Sequence, residues 1–434
     1  SKKHTKSFVS KSDCKKFWCK WQNIAPQYPH LNSTYIIRRA EIDDCVKCLK
    51  ALVALDIKQK TDKYQAKKIL FEKSVCKITQ SPPNTFFQWD DELMVSRFYK
   101  DHNDLLNALF EEYGKSFIED WLEDENKRYY KSIGFYPETG HPSIPKNIYN
   151  TFNGFDYNVK HRNAKFNLEQ SIFYRKIWGG LIDELSGFDK SCSHFLKLWL
   201  GNIICEPMRS SQVMIVLRSE QGIGKGLLCQ MMRNMIGSNY YVMVEDPDRV
   251  FCRVGNSTRA DKLLIVFDEP SAYQMNKYYE SIKNAVTEGK FQRRDLYKEE
   301  FTYPNWARLL LNSNFEDTIK VESGDRRLCL IEGSAKYKGI QSHFTPLVNT
   351  KDKPECIRWF AEYLKSYYER HDGYSFDFSA NRPMTEIYQQ TAENYIDTFY
   401  KFMNEWILDA ESGHLSKGYF RLQNVSEENR TLYY

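Results

Sequence analysis

No stretch of the chain approaches the run of about 20 apolar residues that a membrane-spanning helix needs, and the N-terminus has no apolar signal region. A membrane partner is therefore not expected, and the composition reads as that of a soluble, intracellular protein. Cysteine is too sparse for a secreted scaffold: eleven residues, an odd number, are scattered over the 434 positions. That pattern points to a reducing compartment. Charge of one sign is lacking as well. With 62 Lys and Arg against 57 Asp and Glu, the net +5 carries no argument for nucleic acid, which would have to rest on local basic patches. The histidines form no ligand pair, no catalytic triad is readable, and there is no internal repeat or low-complexity tract. The spacing of Cys45 and Cys48 is that of zinc ligands, but they sit in a stretch of helical periodicity without a glycine turn, so zinc is not expected.

Aromatics are plentiful, at 15% with 29 Tyr and 27 Phe, and packing is the expected role for most. Charged residues at 27% and apolar residues at 41% make an ordinary globular balance. At about 150 residues per domain the length implies two or three domains. The chain opens at Ser1 rather than Met, which leaves room for a longer precursor or an upstream domain.

Apolar positions at Ile42, Val46, Leu49, Leu52, Val53 and Ile57 have helical spacing, and a second helical stretch follows over 103–122. Residues 80–83 contain a breaker, and 136–164 are rich in Pro and Gly. The expected organisation is a mainly α-helical N-terminal domain over 1–165, for oligomerisation or DNA binding. A helical collar or linker is expected over 166–208, a core over 209–345 and a helical C-terminal region over 346–434. Within the last, residues 385–408 carry a helical aromatic stripe.

The core is where chemistry becomes legible. Residues 212–217 (QVMIVL) form a short apolar run of the kind a buried strand needs. Directly after it comes Ser219-Glu220-Gln221-Gly222-Ile223-Gly224-Lys225-Gly226, with a helix expected from about Leu227. A strand, a Gly-rich loop and a helix in that order place backbone N–H groups and a lysine around phosphates. Two positions depart from the general phosphate-loop pattern: Ser219 stands at the first glycine, and Gly226 stands where a Mg²⁺-binding hydroxyl is expected. Further on, the apolar run 262–267 ends in Asp268-Glu269, a spacing compatible with a Walker B strand. There Asp268 can hold Mg²⁺ directly or through water, and Glu269 can then polarise the attacking water. A third run, 307–311, ends in Asn312-Ser313-Asn314, and Asn314 is chosen over Asn312 as the amide that senses the γ-phosphate. Asp325-Arg326-Arg327 leads into one more apolar run, 328–331. An arginine there can stabilise transition-state charge in a neighbouring subunit; the alternative is a surface ion pair with Asp325.

This succession of motifs resembles superfamily 3 helicases, particularly the primase-helicases of large DNA viruses, virophages and phages. The likeness covers roughly half the chain, with softer matches at Phe135-Tyr136-Pro137, at 150–155 and at Arg382-Pro383-Met384-Thr385. It implies an α/β motor of the AAA+-like P-loop ATPase type, a mostly parallel sheet with flanking helices. ATP would be bound through Ser219, Gln221, Gly222, Ile223, Gly224, Lys225, Gly226 and Leu227, and Mg²⁺ at Asp268. In that family a hydroxyl residue commonly follows Gly-Lys-Gly, whereas Leu227 supplies none. The basic segment with Lys290, Arg293, Arg294, Tyr297 and Lys298 would be a hairpin entering the channel of a ring. Without the resemblance this run reads as solvated surface; with it, Lys298 is the preferred DNA contact.

The implied activity is that of an ATP-dependent DNA helicase or translocase in replication of a viral or mobile-element genome. Its partners would be single-stranded or forked DNA, copies of itself in a homo-oligomer, a hexameric ring being the form the resemblance implies, and a primase or polymerase. Each nucleotide would lie between subunits, with Lys225, Asp268 and Glu269 on one side and Arg326 or Arg327 on the other. Two alternatives stay open: a P-loop ATPase for DNA packaging or polymerase loading, and a DNA-binding protein whose nucleotide site is structural.

Overall fold

The computed structural model describes residues 42–81, 85–90, 95–138, 144–253, 255–294, 300–315, 318–322 and 324–394, with the backbone alone for 42–52, 55–59, 81, 95 and 96. Cys14, Cys19, Tyr297, Lys298 and the C-terminal stripe beyond 394 lie outside these residues. The chain divides into two compact units, residues 1–75 with 102–128, and residues 76–101 with 129–434.

In the first unit the described elements are helices: α1 (Ile42–Ser74), α2 (His102–Tyr113) and α3 (Lys115–Glu123). The end of α1 is fixed by Phe71, whose ring meets Tyr113, Phe117 and Trp121 edge-on at centroid distances of 4.8, 5.4 and 5.0 Å. Such tilted contacts suit the ring quadrupole and add to the area buried. Beside them, Asp124 accepts hydrogen bonds from Lys68 Nζ at 2.7 Å and Tyr64 Oη at 2.8 Å. The Lys68 bond is the largest cause of the Asp124 carboxyl being held down at about 2. A depressed carboxylate contributes stability above its unfolded value, and that contribution disappears as pH falls through the folded value. Lys68→Met should therefore destabilise the chain near neutrality, and the difference from wild type should shrink between pH 4 and about 2 in urea titrations.

The second unit contains two five-stranded sheets. One is mixed and ordered β3-β2-β1-β4-β5, from β1 (Val75–Ser81), β2 (Thr85–Asp90), β3 (Val95–Tyr99), β4 (Tyr129–Gly134) and β5 (Ile148–Asn150). Within 1–165 this sheet stands in addition to the helices that the sequence leads one to expect. Its strands are short, α2 and α3 interrupt them in sequence, and β1 pairs in parallel with β4 some fifty residues on. Strand pairing of that kind leaves no local period to read.

The other sheet is entirely parallel. It consists of β6 (Met214–Arg218), β7 (Tyr241–Val244), β8 (Leu264–Asp268), β11 (Arg308–Ser313) and β12 (Leu328–Glu332), in the spatial order β12-β6-β11-β8-β7. Between β8 and β11 the chain makes a separate antiparallel hairpin, β9 (Lys290–Arg293) with β10 (Phe301–Pro304). Strands β6, β8, β11 and β12 are apolar along nearly their whole length because both faces are covered. Alternate residues go to opposite cores. Ile215, Leu217, Val266 and Leu310 pack with Leu228, Met231 and Met232 on one side, while Met214, Val216, Phe267 and Leu309 pack with Tyr279, Ile282 and Val286 on the other. The first set of helix residues belongs to α5 (Lys225–Ile236), which follows α4 (Lys190–Cys205), and the second to α6 (Tyr279–Thr287).

One buried cation joins α4 to this sheet. Arg308, 2% exposed at the start of β11, donates to Asn202 Oδ1 at 2.7 Å and to the carbonyls of Pro207, Glu206 and Arg209 at 2.7, 2.8 and 2.6 Å. These carbonyls lie at and just beyond the C-terminal end of α4, the negative end of the helix dipole. Burial pushes the guanidinium down to about 9, which still leaves it charged at neutral pH. Arg308→Met should strand several buried carbonyls and cost about 3 kcal/mol or more in chemical denaturation. A loss below about 1 kcal/mol would show that water replaces the guanidinium there.

Candidate active site

In a parallel sheet the crevice forms outside the carboxyl ends of the strands, where successive connections leave in opposite directions. Here that point is the end of β6. The chain leaves β6 for the far edge at β7, works back through β8 to β11, and then crosses over β6 to β12. The glycine loop predicted from sequence lies at that switch point.

Gly222 and Gly224 have φ of +87° and +99°, a region in which a side chain is strained, and a Cβ at Gly222 would meet open space. Gly224 is the N-cap of α5, with no side-chain cap. A Cβ on it would lie 2.7 Å from Leu181 and 3.3 Å from Phe344, so the loop closes against those side chains. Among the described residues, the backbone N–H groups of Gly222, Ile223, Gly224 and Lys225 have no protein partner. Uncapped N–H groups at the start of a 12-residue helix make a cradle for an anion.

Lys225 sits in this cradle at 8% exposure. Its ammonium donates to Ser219 Oγ at 2.8 Å, the Ser219 carbonyl at 3.0 Å, the Ser313 carbonyl at 3.1 Å and Asn314 Oδ1 at 2.6 Å. Burial lowers its pKa, and the nearby carboxylates of Glu269 and Asp268 work in the opposite direction. Asn314 in turn donates its amide N–H to Glu269 Oε1. A single side chain thus links the lysine to the acid. The sheet register explains the proximity: Ser313 pairs with Arg218 and Asn312 with Asp268, so the loop, the acidic pair and the two asparagines end at one edge.

Asn312 and Cys229 are supporting residues, buried behind the site, that sequence reasoning passed over. Asn312 is fully buried, and its amide donates to Asp268 Oδ1 at 3.0 Å and to the Cys229 sulfur at 3.6 Å. Burial pushes the Cys229 thiol up to about 11, so it is a neutral packing group. An available signal was the position of Asn312, a polar residue one step short of the end of an apolar strand.

Other predicted residues lie elsewhere. Arg326 is exposed, and Arg327 is half-buried with Nη1 3.8 Å from Asp325 Oδ1, so the ion pair considered for Asp325 exists as a loose contact. Both precede β12, whose first residue pairs with Met214 at the start of β6. They therefore stand at the opposite end of the sheet from the loop, roughly 15 Å away along five residues of strand. Asp325 itself is buried and accepts from Tyr279 Oη at 2.7 Å. On the hairpin, Lys290 is exposed and Arg294 half-buried. Arg293 corrects the expectation of a phosphate contact: it is 6% exposed, with its guanidinium 5.2 Å from the Tyr303 ring centre and 5.4 Å from that of Phe98. A cation stacked among rings packs the hairpin at the loop end of its paired strands. Toward the hairpin base Tyr303 Oη and Thr151 Oγ1, the latter at 2.9 Å, both donate to Asp261 Oδ1, just before β8.

The arrangement is compatible with an α/β nucleotide-binding domain. Comparison with known proteins adds to the fold. The profile of a family of unknown function, DUF5906, matches residues 217–327, which span the loop, the acidic pair and the asparagines. A solved apo structure of the C-terminal region of NrS-1 superposes with a TM-score of 0.59 at 16% identity, covering 81% of this chain and 82% of that one. A second apo structure of that region, the A form, gives 0.59 at 18% identity with the same coverage. At these identities the likeness is one of fold. No curated protein matches the sequence. Among the described residues, no helix is long and apolar enough to cross a membrane.

Glu269 adopts φ of 52°, a left-handed conformation that a side chain makes costly. Glu269→Gly should therefore stabilise the chain by about 1 kcal/mol in calorimetry while deleting the carboxylate. Unchanged or lower stability would show that the carboxylate earns its place structurally, through Asn314.

Proposed function

We propose that the chain is an ATP-dependent DNA helicase or translocase subunit of superfamily 3 type, an AAA+-like P-loop ATPase acting in replication of a viral or mobile-element genome. The observation that carries this reading is the continuous contact from Lys225 through Asn314 to Glu269 at the switch point of a parallel sheet. Each member has a separate task in phosphoryl transfer. The uncapped N–H groups of the loop hold the polyphosphate. Lys225 leaves its four oxygen partners for the β and γ oxygens, and Asn314 turns its amide to the γ-phosphate. Losing Asn314 frees Glu269 to orient the attacking water.

The loop glycines leave room for phosphates, so the residues present fit ATP. For Mg²⁺ the donor set is thinner, because neither Gly226 nor Leu227 carries a hydroxyl and the Ser219 hydroxyl already accepts from Lys225. Asp268 is the residue that would hold the ion, directly or through water. A bound divalent cation supplies charge neutralisation on the transferring phosphoryl group. This composition favours nucleotide binding over fast turnover.

Arg326 and Arg327 stand too far from the loop of their own chain to serve it, which favours a role toward the nucleotide of a neighbouring copy in a ring, hexameric by the family resemblance. Lys290 and Arg294 on the hairpin, together with Lys298, are the residues proposed to touch single-stranded DNA. Arg293 is withdrawn from that set.

The test is ATP turnover by the full chain with and without single-stranded DNA, alongside strand separation on a forked duplex. Wild type should turn over ATP faster with DNA, and Glu269→Gln should bind ATP with turnover reduced by about a hundredfold or more. Absence of turnover in wild type sinks the motor reading. Turnover without strand separation favours a packaging or loading ATPase.

A further inference from the structure

Asn312 occupies a position at which every ordinary packing argument favours an apolar residue. The strand it ends is buried throughout, and Asn312 itself has no exposed surface. Its side-chain oxygen, Oδ1, is buried without a hydrogen-bond partner among the described residues. A polar group left in that condition costs stability, and a leucine of similar volume would remove the cost. The compensating feature is what the rest of the residue does. Its amide N–H fixes Oδ1 of Asp268 at 3.0 Å, and its backbone carbonyl accepts the Glu269 N–H at 3.0 Å, holding the left-handed turn of that residue. The same amide reaches the sulfur of Cys229, one helical turn beyond Lys225 on α5. One residue therefore locks the acidic pair to the phosphate-loop helix. Asp268 keeps its second oxygen without a protein partner among the described residues.

We infer that Asn312 is a positioning residue for divalent-cation binding, orienting the Asp268 carboxylate so that its free oxygen meets the cation of a bound metal–nucleotide complex. The inference rests on the nucleotide-site reading above. It also addresses what that reading leaves open: with no loop hydroxyl to help, the orientation of Asp268 sets the affinity for the ion. Outer partners that orient a ligand commonly change metal affinity by about ten- to a hundredfold when removed.

The experiment measures binding of a fluorescent ATP analogue to the full chain, in EDTA and in Mn²⁺, together with thermal melting. Wild type should bind in EDTA and bind more tightly in Mn²⁺. Asn312→Leu should leave the EDTA affinity unchanged and the melting temperature no lower, while cutting the Mn²⁺ enhancement by about tenfold or more. Asn312→Ser, whose donor is too short to span to Asp268, should behave likewise and serves if the leucine variant does not fold. Wild-type Mn²⁺ enhancement in either folded variant overturns the inference. So does a parallel loss of melting temperature and EDTA affinity in both, which is the signature of a merely structural asparagine. If wild type binds no analogue in either condition, the nucleotide reading itself fails, and the inference falls with it.

Discussion

The pairing of β6 with β11 is the constraint from which the candidate site follows. Because the two strands run in parallel and in register to their last residues, the glycine loop leaves the sheet beside Ser313 and Asn314, and the Ser219 N–H closes the edge on the Ser313 carbonyl at 3.0 Å. The Lys225 ammonium then finds oxygens from both strands without any contribution from a distant segment. On its other flank β11 pairs with β8, which delivers the acidic pair to the same edge. A slip of one residue in either pairing would turn the strand's side chains to the opposite face and separate the lysine from the acids. Core packing and site geometry are thus fixed by the same hydrogen-bond ladders.

The legible part of the fold was the part buried on both faces. Strands such as LIVFD and RLLLNS read directly as apolar runs because helices cover each side, and the loop between β6 and α5 was readable from its glycines. The mixed sheet was not readable, since its strands combine rings with polar residues, as in TFFQWD, and draw on partners far along the chain. Charge misled at Arg293: in a run of basic residues it looks like its neighbours, yet the hairpin turns it inward among Phe98, Phe301 and Tyr303. Only tertiary structure distinguishes a stacked guanidinium from a solvated one.

The choice between Asn312 and Asn314 shows the same limit at finer scale. Sequence placed two amides at a strand end and assigned the chemistry to the outer one, which does bridge Lys225 and Glu269. The alternation of a strand sends residues two apart to the same face, so both point toward the loop side at different depths. The inner one is completely buried and touches Asp268 instead. Depth, which a linear pattern does not record, separates their roles.

The contacts of Asp261 have a mechanical consequence. Tyr303 belongs to the hairpin, Thr151 follows β5, and Asp261 immediately precedes the segment that becomes β8. The base of the hairpin is therefore anchored to the near end of the strand whose far end carries Asp268 and Glu269. A strand held by ladders on both sides is stiff along its axis, so the hairpin base and the acidic pair sit at the two ends of one rod.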